Sequence, residues 1–353
     1  MRAHTMTTKS PFIFLLAVVI IAVWAASASA TFPGEDGRIS FQGEGPRPEI
    51  FTAKPDGSDI RRLTSSGEIE PSSAGFSDWS PNGERIAFES GRVDIDGRKD
   101  VEQTYVMNAD GSGVTQVTRG GRFQLTPSWS PDGASLAIAG EWGHYPALSG
   151  VWIIPASDPD GVTRKEARRV TTFPGPRPGR EISFGLGFEL DPQFSPDGSS
   201  IVFTRYKGGT ASAIHRVGID GSGLARLTPW RLDASDPDWS PDGQRIAFDS
   251  GFGYGDAVAP EDRGPGNIHV MRADGSGRTR LTDRAPVQQG EGRRGANNPV
   301  WSPSGTQIMY TRFFPKRTEL VAMKPDGSGK HVVVGGRFGK RHLPNRVDWG
   351  THP

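Results

Sequence analysis

Apolar residues in this chain come in short runs. Ile86-Ala87-Phe88, Ile201-Val202-Phe203 and Ile246-Ala247-Phe248 are each β-prone stretches of strand length, set between clusters of turn-forming residues. Beyond the N-terminus no segment sustains an apolar period of 3.6 residues. The pattern predicts an all-β protein in which helix is nearly absent.

The runs belong to a repeat. Each copy opens with an aromatic residue, Ser and Pro, then Asp-Gly, then a strand such as Ile-Ala-Phe. After a variable gap come a second strand, Asp-Gly-Ser-Gly, and Leu-Thr or Val-Thr. The openings are Trp79-Ser-Pro-Asn-Gly83, Trp129-Ser-Pro-Asp-Gly133, Phe194-Ser-Pro-Asp-Gly198, Trp239-Ser-Pro-Asp-Gly243, Trp301-Ser-Pro-Ser-Gly305 and a truncated Asp348-Trp349-Gly350. The second marker recurs at Asp56-Gly57, Asp110-Gly111, Asp160-Gly161, Asp220-Gly221, Asp274-Gly275 and Asp326-Gly327. Openings lie 45 to 65 residues apart, which suits a four-stranded blade with its loops. Pro presets φ in a tight turn and Gly takes the left-handed position after it, so both markers read as hairpins. The recurring aromatic is expected to fill the space between neighbouring blades.

The two ends complement each other. Gly37-Arg-Ile-Ser-Phe41 matches the Ile-Ala-Phe strand but lacks an opening, and Arg346-Val-Asp-Trp349 supplies one. The expected architecture is a six-bladed β-propeller over residues 31–353, closed by the C-terminal strand joining blade one.

In these motifs the chain resembles the TolB-like propeller family, whose repeat is a WD-like block, from about Gly37 to Gly350. The resemblance implies a binding propeller. The family's namesake is a periplasmic component of the Tol-Pal envelope system that binds a peptidoglycan-associated lipoprotein through its propeller. It carries an α/β domain ahead of the propeller, whereas only Thr31 to Asp36 separate blade one from the N-terminal leader here. Related propellers also form the non-catalytic half of prolyl-peptidase-like hydrolases, and no hydrolase domain follows here.

That leader reads as a signal peptide over residues 1–30. Arg2, His4 and Lys9 precede a nearly wholly apolar run from Pro11 to Trp24, and Ala28-Ser29-Ala30 offers a small-residue cleavage site. A periplasmic or secreted location follows, with membrane contact only if the segment stays uncleaved. Without Arg2 and Lys9, 39 basic residues face 40 acidic ones. That balance gives no electrostatic footprint for nucleic acid. The chain has no cysteine, which excludes disulfides, a thiol nucleophile and thiolate metal sites.

Functional candidates follow from the meander. The two hairpin types share one face, while the longer, variable connections share the other, where binding is expected. Residues three before each aromatic should gather at the central mouth of that face: Phe76, Thr126, Asp191, Asp236, Asn298 and Arg346. Asp191, Asp236, Asn298 and Arg346 are the polar candidates for binding. Trp142 and Tyr145, with Tyr254 on another loop, are expected as exposed aromatics suited to sugar stacking or a protein contact. Arg180, among the basic residues of the blade-to-blade links, is a candidate for an acidic partner.

Other motifs carry less. Gly290-Glu-Gly-Arg-Arg-Gly295 spells the dinucleotide fingerprint, but Ala296-Asn-Asn-Pro-Val cannot open the helix it needs. Asp94-Ile-Asp-Gly-Arg-Lys-Asp100 lacks ligands that a full calcium loop requires. No Gly-x-Ser-x-Gly or Gly-Lys-Ser/Thr occurs. We therefore expect a monomeric, non-enzymatic propeller, with no cofactor, resident metal or catalytic residue, that recognises a protein or cell-envelope component. The alternative is a glycan-active propeller, either a carbohydrate binder or a lyase holding a metal with histidines from several blades.

Overall fold

The computed structural model describes residues 32–44, 48–65, 74–91, 101–121, 123–142, 149–157, 160–172, 188–207, 211–251, 266–282, 295–314, 317–335 and 343–352. Six four-stranded antiparallel sheets make a closed ring. Blade 1 holds β1 (Asp36–Glu44), β2 (Glu49–Ala53) and β3 (Arg61–Arg62), and blade 2 holds β4 (Ala74–Trp79), β5 (Arg85–Ser90), β6 (Gln103–Asn108) and β7 (Thr115–Gln116). Blade 3 consists of β8 (Phe123–Trp129), β9 (Ser135–Glu141), β10 (Ser149–Pro155) and β11 (Arg168–Arg169). In blade 4 come β12 (Glu189–Phe194), β13 (Ser200–Lys207), β14 (Ala211–Gly218) and β15 (Ala225–Arg226). Blade 5 has β16 (Ala234–Trp239), β17 (Arg245–Ser250), β18 (Asn267–Arg272) and β19 (Thr279–Arg280). Blade 6 has β20 (Gly295–Trp301), β21 (Ile308–Phe314), β22 (Arg317–Met323) and β23 (His331–Val334). The last strand, β24 (Leu343–Thr351), returns to blade 1 and pairs with β1, placing Trp349 opposite Ile39 and Val347 opposite Phe41. The predicted closure is present.

No single core fills the molecule. Six apolar clusters lie at the six blade boundaries, and each contains one recurring aromatic. Trp129 packs with Ala87 and Val106 of blade 2 and with Leu136 and Trp152 of blade 3. Trp301 does the same between blades 5 and 6, against Val270 and Ile308. Trp349 joins blades 6 and 1 beside Met309 and Phe41. Each such ring removes roughly 150–250 Å² from water, or about 4–6 kcal/mol at ~25 cal/mol/Å². The guanidinium of Arg85 sits 4.5 Å above Trp129, and that of Arg245 sits 4.5 Å above Trp301.

The Asp-Gly markers also bridge blades. In five blades the turn glycine (Gly57, Gly111, Gly221, Gly275, Gly327) has φ between +79° and +87°, and a Cβ would lie 2.0–3.0 Å from a carbonyl oxygen of the preceding blade. Blade 3 departs from this plan. Its Asp160-Gly161 is no short hairpin: β10 ends at Pro155 and β11 begins only at Arg168. There Val162 forms a parallel bridge to Thr118 of blade 2, and Thr163–Ala167 close one turn capped by Glu166.

Candidate functional site

The innermost strands β24, β4, β8, β12, β16 and β20 surround the axis, and five of them slip register near their middle. In β24 the matching slip falls between its partners Phe41 and Gln42. All six slips coincide with a left-handed residue: Phe76 (φ 50°), Thr126 (48°), Asp191 (52°), Asp236 (49°), Asn298 (46°) and Arg346 (50°). These are the six residues that sequence spacing places at the mouth. The conformation costs a non-glycine residue about 1–2 kcal/mol, and more for β-branched Thr126. A bulge of this kind turns a side chain off the sheet and toward the axis.

Side chains across blade boundaries hold four of the bulges, while the Arg346 amide donates to the adjacent Asn345 Oδ1 (2.9 Å). The Thr126 amide donates to Glu89 Oε2 of blade 2 (3.1 Å), the Asp236 amide to Thr204 Oγ1 of blade 4 (3.2 Å), and the Asn298 amide to Asp249 Oδ2 of blade 5 (3.1 Å). Glu89, Thr204 and Asp249 occupy the same position in the second strands of blades 2, 4 and 5. In blade 3 that position is Ala139, which has nothing to offer, and the Asp191 amide instead donates to Thr126 Oγ1 (3.1 Å).

All six left-handed residues line a cavity of ≈ 90 Å³ at this end of the channel, with Asp78, Asp238 and Asp348 one layer deeper. Each deeper aspartate stands immediately before a tryptophan and accepts the amide of the next blade's tryptophan. The pairs are Trp79 to Asp348, Trp129 to Asp78 and Trp301 to Asp238, all at 2.7 Å. Sequence reasoning missed this layer, although the recurring Asp-Trp was visible. Below it lies a cavity of ≈ 10 Å³ toward the hairpin face, lined by Trp79, Trp129, Trp349 and Phe32.

The site is acidic and its carboxyls are buried. Burial, reinforced by Asp236, raises Asp191 well above the usual carboxylate range, and the same two causes raise Asp249. Burial and then the neighbouring Asp348 raise Asp78. Glu89 is pushed up to about 8, first by burial and then by Glu102, while Asp348 reaches about 6 through burial. Asp236 bears on both Asp191 and Asp249, so their raised carboxyls share one acidic neighbour as well as burial. Five aspartates and one arginine line the cavity. That arginine, Arg346, lies 3.4 Å above the Phe76 ring. The buried Asn298 Oδ1 has no hydrogen-bond partner.

The remaining candidates divide. Trp142 is not an exposed aromatic: it is 2% exposed, edge-on to Trp152 at 5.1 Å, and its indole N–H donates to Arg119 O (3.1 Å). It follows β9 directly and caps the apolar boundary between blades 2 and 3, where a polar, solvated position would leave Trp152 uncovered. Tyr145, Arg180 and Tyr254 lie outside the described residues, as do the signal peptide, the Asp94–Asp100 segment and Gly290–Arg294. His215 and His269 lie inside blades, stacked on Phe203 (5.7 Å) and Phe248 (5.2 Å). Among the described residues no group of three or more His, Asp or Glu side chains is placed to hold a metal ion.

Comparison with known proteins supports a TolB-like propeller. The TolB beta propeller domain profile matches residues 175–342. An uncharacterised protein of Agrobacterium fabrum is 31% identical over 193 residues, covering 53% of this chain and 54% of that protein. The TolB homolog of Chlorobium luteolum is 30% identical over 146 residues, or 34% of this chain and 33% of that protein. The matches thus span about half or less of these curated relatives. The crystal structure of TolB from Acinetobacter baumannii superimposes with a TM-score of 0.64 at 19% identity, over 91% of this chain and 68% of that one. With six antiparallel blades, closing ends and these relatives together, the chain is a TolB-like six-bladed β-propeller.

Proposed function

We propose that this chain is a non-enzymatic binding propeller that acts outside the cytoplasm. It recognises a protein or cell-envelope component through the channel mouth on the face opposite the hairpins, and a cationic group of the ligand enters the cavity. The observation that carries this reading is the ring of six left-handed residues around an acidic cavity. Strain of this kind persists where the surroundings enforce it, and it concentrates at ligand sites. The size of the cavity narrows the ligand. At roughly 10–15 Å³ per water, it takes about six to nine waters or the head of one lysine or arginine side chain. Burial favours the protonated form of Asp191, and an incoming cation would displace that proton, so affinity should rise with pH. The extracytoplasmic location rests on the basic, apolar and small-residue order of the leader.

The glycan-active alternative has less support, because His215 and His269 are committed to stacking within their blades. Retention of solubilised envelope material on the immobilised chain, compared with Asp191→Ala/Asp236→Ala, tests the reading. A buried charge pair lost on one side costs about 2–5 kcal/mol, so the double variant should bind at least about 30-fold more weakly. Equal retention by the two proteins would refute it, and retention of polysaccharide alone would favour the glycan reading.

A further inference from the structure

At the hairpin end of the channel, one side chain of the lining, Phe32, comes from no blade. Phe32 lies ahead of β1, outside any strand. Its ring lines the lower cavity together with Trp79, Trp129 and Trp349. It also packs against the apolar boundaries of blades 2 and 3 and of blades 3 and 4. Two residues later the Gly34 amide donates to Pro303 O (3.3 Å) in blade 6. Asp36 then accepts the Ser304 amide (2.9 Å) and hydroxyl (3.1 Å). The segment therefore starts on blades 3 and 4, crosses the axis and anchors on blade 6 before entering blade 1.

We propose that Phe32–Asp36 is a displaceable floor: docked, it makes the channel a blind well, and released, it opens a second entrance on the hairpin face. Its attachments are uneven. Asp36 is held by two hydrogen bonds to blade 6 and the Glu35 carbonyl accepts the His352 amide (2.9 Å), whereas exposed Pro33 and Gly34 are tied by one long backbone bond from the Gly34 amide. Segments with few buried contacts and exposed backbone bonds open first, well before the blades. The floor is also in register with the mouth. Asp78, Gln193, Asp238 and Asp348 line both cavities, so a group that reaches them from above meets the layer on which Phe32 rests. By reciprocity, anything that favours the released floor would change occupancy of the mouth by the same factor.

Acrylamide quenching of tryptophan fluorescence in the full chain tests this, because three of the nine tryptophans line the floor. Phe32→Ala should raise the quenching constant about 1.5- to twofold as those rings become reachable from solvent. Phe32→Leu, which keeps an apolar stopper, should fall between the two. Benzyl alcohol should refill the emptied position and return Phe32→Ala toward wild-type quenching. Equal quenching of wild type and Phe32→Ala, with near-ultraviolet circular dichroism unchanged, would overturn the proposal. If Phe32→Ala fails to fold, Phe32→Leu decides: quenching raised above wild type supports the floor, and wild-type quenching overturns it.

Discussion

Burying a carboxyl group costs several kcal/mol unless it is neutralised or well hydrogen-bonded, and the channel wall meets this in two ways. Asp78, Asp238 and Asp348 accept tryptophan amides from the next blade, and Glu89 and Asp249 accept the amides of strained mouth residues. Protonation does the rest. Glu89 faces Glu102 and the Arg346 guanidinium, and its carboxyl titrates near pH 8 in the folded chain. A carboxyl raised on folding contributes stability that is complete below its unfolded value and lost as pH climbs through the folded one. Glu89→Gln keeps an acceptor for the Thr126 amide but never ionises. It should therefore match wild type at pH 5 and melt several degrees higher at pH 9, read by thermal denaturation at both pH values. A wild-type advantage at pH 9 would contradict this. His215 and His269 act in the opposite sense: burial holds both down to about 4, so their contribution fades as pH falls below the ordinary histidine value. Spacing alone located the mouth residues, because the aromatic three positions on is an unmistakable anchor. Which side chain holds the bulges at Thr126, Asp191, Asp236 and Asn298 was not legible, since that partner lies in another blade some 30 to 65 residues away in sequence.

At the scale of the element, two turns of similar composition carry different constraints. Gly57 and Gly133 both have positive φ, at +79° and +67°. A Cβ on Gly57 would lie 2.0 Å from Val333 O of blade 6, whereas on Gly133 the nearest atom is Pro81 Cδ at 3.8 Å. Gly133→Ala should cost only the left-handed penalty, about 1–2 kcal/mol. Gly57→Ala should cost about 3 kcal/mol or more, because the backbone of another blade must also move. Chemical denaturation of the two variants separates the effects, and equal losses would show that the Asp-Gly turns do not set blade spacing. Both hairpin types were legible from the Pro, Asp and Gly that dictate their dihedral angles. The excursion of blade 3 was not, for Asp160-Gly161 carries the same dipeptide but Val162 pairs outward with Thr118. Trp142 misled for a related reason. Nothing local distinguishes a loop aromatic facing solvent from one folded back over its own blade.

For the whole molecule, the ring is an assembly of boundaries. Apolar clusters, tryptophan amide bonds and turn glycines each join one blade to the next, and β24 completes the last junction by pairing with β1. The fold was legible because six copies of one unit repeat the message and the ends supply what each lacks. The proposed binding surface was legible only in part: the mouth lies on described residues, while Tyr145, Arg180 and Tyr254 do not. The claim that function belongs to the mouth, and structure to the hairpin face, is open to one direct measurement. A photo-reactive benzoylphenylalanine at Phe76 sits on the mouth ring, and one at the exposed Gln244 sits beside the hairpin turn of blade 5. Irradiated with isolated envelope material, the probe at Phe76 should give a discrete crosslinked product and the probe at Gln244 none. A product from Gln244 alone, or equal products from both, would contradict the assignment.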